Sequence, residues 1–335
     1  MEYTHLPHVG KKASRIGLGT WAMGGSLWGG TDEKLALETL HKAIDQGITL
    51  IDTAPAYGDG ESEKLVGKAL KKSSQRDKVI VSTKFGIHLE PNSAYRDSRR
   101  ETMVKELEAS LKRLGIDAID LYFVHWPDEM TSFAETAATL KQFQKEGKIR
   151  AIGVSNFSVE QIRMFSRTVT IDAVQPPYNI FEREADPIIA YCKEHSLATL
   201  GYSGLCRGLL SGAMTKDRQF KGDDLRKGMD PKFQEPHFSE YLAVADALKA
   251  WAKKKHDKPL IALAIQYSLD RGVDVALWGA RKPEQLKEID DVLGWKLTDE
   301  DLHEVDHIVQ AFVKHPIGPQ FMGPPQRSEH MTSKL

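Results

Sequence analysis

Four titratable side chains of four kinds stand at or just past the ends of short apolar runs: Asp52, Tyr57, Lys84 and His125. A phenol titrates near pH 10 and is a poor acid at neutral pH. An ammonium beside it favours the phenolate and lowers that value. A carboxylate beside the ammonium keeps it charged and in place, and an imidazole can orient a carbonyl. Together they read as a general acid, Tyr57, tuned by Lys84 and aimed at an oxygen that becomes an alkoxide. None of the four is an obvious nucleophile. A carbonyl protonated in this way must also gain a hydride, and hydride is brought by a cofactor. Taken singly each residue has a plainer reading: Asp52 as a turn cap, Lys84 as a solvated charge, His125 as a core histidine. Their joint placement carries the chemical reading.

That placement rests on a recurring pattern: a helix-like stretch, a glycine, then an apolar run. It appears as HKAIDQ-Gly47-ITLIDT, as SLKRL-Gly115-IDAIDLYFVH and as KQFQKE-Gly147-KIRAIGVSN. Glycine just past a helix fits the left-handed C-terminal cap. Continuous rather than alternating apolar runs suit strands buried on both faces. Candidate strands are 15–20, 48–53, 79–84, 118–125, 151–156, 172–178, 198–203 and 274–280. Candidate helices are 32–46, 61–72, 99–114, 132–146, 158–166, 184–195, 258–271 and 283–290. Ser132 with Glu135 and Ser158 with Gln161 have capping-box spacing. Eight alternating pairs predict one closed (β/α)8 barrel, an α/β fold of a single domain over 1–335. Segment 1–14 is expected to form a hairpin plugging the bottom. Two extra helices are expected at 239–255 and 298–312. The long polar loop 207–238 is read as functional or mobile, and the tail 315–327 as lying over the body near the site.

Barrel enzymes carry their chemistry at the C-terminal ends of the strands. Besides the four residues above, those ends hold Ser155-Asn156, Gln175 with Tyr178, Tyr202-Ser203 and Gly279-Ala280-Arg281.

Composition narrows the setting. The 335 residues carry 46 basic and 47 acidic side chains, 41% hydrophobic and 28% charged residues. That balance argues against a nucleic-acid or membrane-surface partner. No apolar run is long enough for a membrane helix. The N-terminus lacks a secretory pattern, and Cys192 and Cys206 match no zinc or disulfide spacing. A reduced cytoplasmic protein is the expectation, with no oligomeric state specified. Gly58-Asp59-Gly60 is too short for a dinucleotide fingerprint. His303-Glu304-Val305-Asp306-His307 fits a zinc-hydrolase pattern. Against it, Leu302, Val305, Val309 and Phe312 read as the buried stripe of an ordinary helix, with both histidines beside that stripe and no third ligand at a known spacing.

ITLIDTAPAYGDGESEKLVGKAL resembles the signature of the aldo-keto reductases. So do VIVSTK, LYFVHWP, KIRAIGVSNF, AVQPPYN, GYSGLCRGLLSG and WGARKPEQL, in order, over residues 15 to 290. The segments PIGPQFMGPP and GDDLRKGMDPKFQEP are similar to the general-stress-protein subgroup of the bacterial enzymes. The resemblance implies reduction of a small aldehyde or ketone by NADPH, with Tyr57 as proton donor, Lys84 and His125 assisting, and Asp52 paired to Lys84. It implies that Ser155, Asn156 and Gln175 hold the nicotinamide carboxamide and that Tyr202 stacks on the ring. The backbone of Ser203, Gly204, Leu205 and on to Leu209 would cover the pyrophosphate, with Arg207 in contact. Arg281 would take the 2′-phosphate, with Gly279 and Gln285 nearby, and Trp21 and Trp126 would line the substrate cleft. Two departures stand out: Gly204 where the family often has proline, and Ile289 where it tends to have asparagine. Some proteins resembling the family are channel-associated subunits, so a redox-sensing cofactor-binding module is the alternative from another class.

Overall fold

The computed structural model describes residues 1–91 and 93–327. It opens with an antiparallel hairpin of β1 (Tyr3–His5) and β2 (Lys12–Ser14). The barrel then begins with β3 (Ile16–Gly19), α1 (Glu33–Asp45), β4 (Leu50–Asp52), α2 (Glu61–Lys72) and β5 (Ile80–Phe85). A second hairpin, β6 (Ile87–Glu90) and β7 (Ser93–Arg96), interrupts it. The chain continues through α3 (Arg100–Leu114), β8 (Ile119–Val124), α4 (Phe133–Lys145), β9 (Ile149–Ser155), α5 (Val159–Ser166), β10 (Ala173–Gln175), α6 (Asp186–Glu194) and β11 (Ala198–Gly201). It ends with α7 (His237–His256), α8 (Leu260–Asp270), β12 (Val275–Gly279) and α9 (Asp299–Phe312). Eight strands close in parallel in the order β3-β4-β5-β8-β9-β10-β11-β12 and back to β3. This is the expected (β/α)8 barrel, and α7 and α9 are the two expected extra helices.

Local chemistry explains most boundaries. Gly47 and Gly115 end α1 and α3 at φ 88° and 64°, in the left-handed region that glycine occupies without a Cβ clash. Ser158 and Gln161 form a reciprocal capping box at α5, and the Ser132 side chain caps α4. The N-terminal hairpin closes the bottom of the barrel. Leu6, Val9 and Ala13 pack with Leu50, Ile80 and Leu121, while His8 bonds Asp172 at 2.6 Å and Lys11 pairs with Asp120 at 3.0 Å.

Two expectations need correction, and one element was not foreseen. Segment 283–290 is two 3-10 turns, Pro283–Leu286 and Ile289–Asp291, not one helix. Side chains of α1 take the carbonyls that a continuous helix would use: Lys42 donates to Pro283 and Gln46 to Leu286. Phe312 is exposed rather than part of the buried stripe of α9, which consists of Leu302, Val305 and Val309. The β6–β7 hairpin was not anticipated within the loop 86–98. The tail does lie on the body: Arg96 pairs its backbone N–H with Pro325 O and its Nε with Pro324 O.

Inside the barrel, Gly153 on β9 faces Phe123 on β8, and a Cβ at Gly153 would stand 2.2 Å from the Phe123 ring. Overpacking of this kind costs about 1–3 kcal/mol. Gly153→Ala is therefore expected to lower the urea midpoint by that amount of stability, and an unchanged midpoint would refute this packing account.

Candidate active site

β4 ends at Asp52, whose register partner on β5 is Ser82, and Lys84 stands two residues further along β5, on the same face of that strand as Ser82. Lys84 Nζ donates to Asp52 Oδ1 at 2.6 Å, to Thr53 O at 3.0 Å and to the Tyr57 hydroxyl at 3.2 Å. Lys84 is 1% exposed and Asp52 3%, so little water competes for these bonds. The other Asp52 oxygen accepts from Ser82 Oγ at 2.7 Å and from Gln175 Nε2 at 2.8 Å. The Tyr57 ring stands edge-on to His125, with centroids 5.8 Å apart. The turn carrying Tyr57 is held by close backbone contact, since Gly58 has φ 67° and a Cβ there would meet Gly24 O at 2.0 Å.

The electrostatics differ from the expected tuning. Burial first, and then the Asp52 charge, hold the Tyr57 phenol well above its ordinary range. Burial pulls Lys84 below the usual lysine range, opposed by Asp52. Burial is the larger cause, with the Asp52 charge adding to it, so the phenol is not acidified as anticipated. Lys84 acts on it through hydrogen-bond direction instead. The ammonium has no acceptor capacity, so the phenol oxygen accepts from it and the phenol proton is free to point elsewhere. Burial and the Lys84 charge hold the His125 imidazole well below its ordinary range, which leaves it neutral, with one N–H to donate.

Beside this cluster runs a cleft of about 340 Å³ bordered by Trp21, Asp52, Tyr57, Tyr202, Ser203, Gly204, Leu205, Arg207, Gly279, Arg281 and Gln285. It adjoins a second, more polar chamber of about 490 Å³ that shares Trp28, Arg218, Arg226 and Arg281. Trp21 lies 6.2 Å from the Tyr57 ring and packs edge-on against Trp28 at 5.3 Å. Arg226 is taken by Asp224 through two bonds of 2.9 and 2.6 Å. Arg281 donates to the carbonyls of Trp28 and Gly30, and burial, followed by the Arg226 charge, holds its pKa below the ordinary range. A cationic rim of this kind suits an anion.

The remaining expected residues fall in distinct places. Ser155 and Gln175 are buried, and Ser155 Oγ donates to Gln175 O. Asn156 donates to His125 O and accepts from the Tyr202 hydroxyl at 2.8 Å. Gln285 Oε1 accepts from the Arg281 and Lys282 amides. Leu209 is fully buried. Trp126 is half-buried under the Arg96 guanidinium, 5.0 Å away. Arg207 borders the cleft, and its guanidinium is buried and engaged by Glu182 and Asp230. Trp28, Arg218 and Arg226 were missed. The paired glycines flanking Trp28 and the basic content of loop 207–238 were the available signals.

The zinc pattern finds no support. His303 and His307 are exposed on α9, and Glu304 is taken by Trp251 Nε1 at 2.6 Å and Lys255 Nζ at 2.8 Å. Among the described residues, no group of three or more His, Cys, Asp or Glu side chains is placed to hold a metal. Among the described residues, no helix is long and apolar enough to cross a membrane.

Comparison with known proteins agrees with this geometry. The model of the Aldo/keto reductase family matches residues 15–310. The chain is 51% identical over 331 residues to Aldo-keto reductase YhdN of Bacillus subtilis, covering 98% of this chain and all of that one. It is 37% identical over 318 residues to an NADH-specific methylglyoxal reductase of Escherichia coli, covering 89% and 95%. Among solved structures it is similar to the glycerol dehydrogenase AKR11B4 from Gluconobacter oxydans, at 46% identity and a TM-score of 0.85, covering 96% and 99%. A family model spanning most of the chain and a full-length relative at half identity leave one conclusion: the chain belongs to the aldo-keto reductase family.

Proposed function

We propose that residues 1–335 act as one barrel domain that reduces small aldehydes and ketones to alcohols with NADPH, Tyr57 being the proton donor. The observation that carries this reading is the Lys84 ammonium bonded to both Asp52 and the Tyr57 oxygen. A neutral phenol whose oxygen already accepts a bond presents its proton outward, toward a carbonyl oxygen in the cleft. His125, neutral, donates its N–H to the same oxygen and fixes the carbonyl's orientation. As negative charge develops on that oxygen, the phenol proton moves to it and the phenolate is left on the Lys84 bond. The nicotinamide, when bound, supplies the hydride. Tyr202 offers a ring at the cleft wall, and Asn156 and Gln175 offer amides. Trp21, Trp28 and Trp126 exclude water from the reacting end.

The preference for NADPH rests on charge. Arg281 and Arg218 border the polar chamber, and among the described residues neither has a carboxylate within ion-pair distance. A dianionic phosphate fits that rim, whereas a free ribose hydroxyl gains little from it. The methylglyoxal relative is NADH-specific, so the proposed preference rests on this chain's rim residues and not on that relative. Cys192 and Cys206 are both unpaired and buried, in keeping with a reducing, cytoplasmic setting.

Three measurements test the reading. Tyr57→Phe is expected to lower kcat for aldehyde reduction at least about a hundredfold, the usual scale of general-acid catalysis. NADPH affinity should stay within about twofold. Equal turnover in the mutant would remove Tyr57 from the mechanism, and a wild type that binds NADPH without consuming it across an aldehyde panel would favour the sensing module. Arg281→Ala should weaken NADPH roughly tenfold or more, as loss of a charge-assisted bond does, and leave NADH nearly unchanged; equal losses for both would contradict the phosphate assignment. The direction of the Tyr57 shift has a pH consequence. A raised value disfavours the phenolate, so the absorbance difference between wild type and Tyr57→Phe should show no tyrosinate below pH 10. A tyrosinate band appearing between pH 7 and 9 would contradict it.

A further inference from the structure

The turn after β11 runs against ordinary backbone preference. Ser203, Cys206 and Arg207 have φ of 66°, 44° and 53°, and Gly208 follows at 102°. Three side-chain-bearing residues in the left-handed region within five positions are each disfavoured by the clash of their Cβ with the backbone. Such a path persists only where its surroundings dictate it. Ser203, Gly204, Leu205, Arg207 and Gly208 of this turn border the cleft, so its path shapes the wall facing any bound nucleotide.

The Arg207 side chain, 2% exposed, supplies that constraint. A guanidinium has five N–H donors in a fixed fork, and here all five are engaged inside the protein. Nε donates to Asp230 Oδ2 at 2.6 Å. Nη1 donates to Ser203 Oγ at 2.7 Å and to Glu182 Oε2 at 3.3 Å. Nη2 donates to Glu182 Oε1 at 2.5 Å and to Cys206 Sγ at 3.4 Å. The fork thus ties the turn's last left-handed side chain to its first, and anchors both to the segment after β10 and to the loop before α7. Lys232 Nζ joins Glu182 at 2.7 Å. Two cations face two carboxylates, so the cluster is neutral and offers no field to an anion. The Phe321 ring of the tail lies 5.5 Å from Arg207 and 5.7 Å from Lys232 and covers both.

We infer that Arg207 is a positioning residue for the cofactor wall: it fixes the left-handed turn 203–208 from behind and does not itself touch the nucleotide. The inference rests on the functional reading above, in which a nicotinamide nucleotide occupies the cleft.

Two contacts with opposite consequences decide it. If Arg207 met a phosphate, relieving it of a carboxylate would free positive charge for that phosphate, and Asp230→Asn would tighten NADPH. If Arg207 positions the turn, Asp230→Asn loosens the fork and weakens NADPH. NADPH dissociation constants are read from quenching of intrinsic tryptophan fluorescence, without turnover, for the wild type, Asp230→Asn, Arg207→Lys and Arg281→Ala, each from low to high salt. The expected result is a loss of about tenfold for Asp230→Asn and Arg207→Lys, with the wild-type salt slope retained. Arg281→Ala should flatten that slope, because a direct ion contact is lost. Arg207→Lys keeps the charge but not the fork; its failure to fold leaves the sign of the Asp230→Asn effect to decide. Tighter NADPH binding by Asp230→Asn, or a flattened slope in Arg207→Lys, would overturn the inference. A wild type that binds no NADPH would overturn the functional reading and this inference with it.

Discussion

The site depends on one buried ammonium. Lys84 is held by Asp52 at 2.6 Å and by the Thr53 carbonyl at 3.0 Å, and it reaches the Tyr57 oxygen at 3.2 Å. Burial of a charge is tolerated only with partners of this kind. Asp52 in turn is held by Ser82 and Gln175, so residues of three barrel strands converge on one ion pair. The closed parallel barrel is what makes this possible. Asp52 and Ser82 are register partners on β4 and β5, and Gln175 reaches across from β10. A pair so well matched has little net charge to lend the phenol, which stays neutral and is directed rather than acidified.

A second neutral cluster repeats the arrangement on the cofactor side. Arg207 and Lys232 against Glu182 and Asp230 hold the turn after β11 as Lys84 and Asp52 hold the turn after β4. The open charges lie elsewhere, on Arg218 and Arg281 at the rim of the polar chamber. In the proposed function the buried ions would set geometry and the rim ions would meet the ligand. The tail joins the two sides, with Phe321 over the Arg207 cluster and Pro324 and Pro325 bonded to Arg96 beside Trp126.

The barrel was legible because its signals are local and repeated. Gly47, Gly115 and Gly147 mark helix ends, and the apolar runs after them are continuous. The tetrad was legible because a barrel sends strand ends to one face, so residue type at those ends is enough. What stayed hidden depended on contacts distant in sequence. Segment 283–290 reads as a helix until Lys42 and Gln46 of α1 take its carbonyls. The partners that engage Arg207, Glu182 and Asp230, lie 25 positions before it and 23 after, and no local spacing reveals them. The direction of the phenol shift was hidden for the same reason. Spacing places an ammonium near Tyr57 but does not reveal how deeply the phenol is buried or how close the Asp52 charge lies.

The central claim is that Lys84 occupies the phenol oxygen and so directs the Tyr57 proton into the cleft. Single-turnover oxidation of bound NADPH by an aldehyde in Lys84→Met, compared with the wild type at matched cofactor saturation, tests it most directly. The account predicts a rate constant lower by roughly a hundredfold or more with NADPH still bound. A rate constant equal to that of the wild type would contradict it.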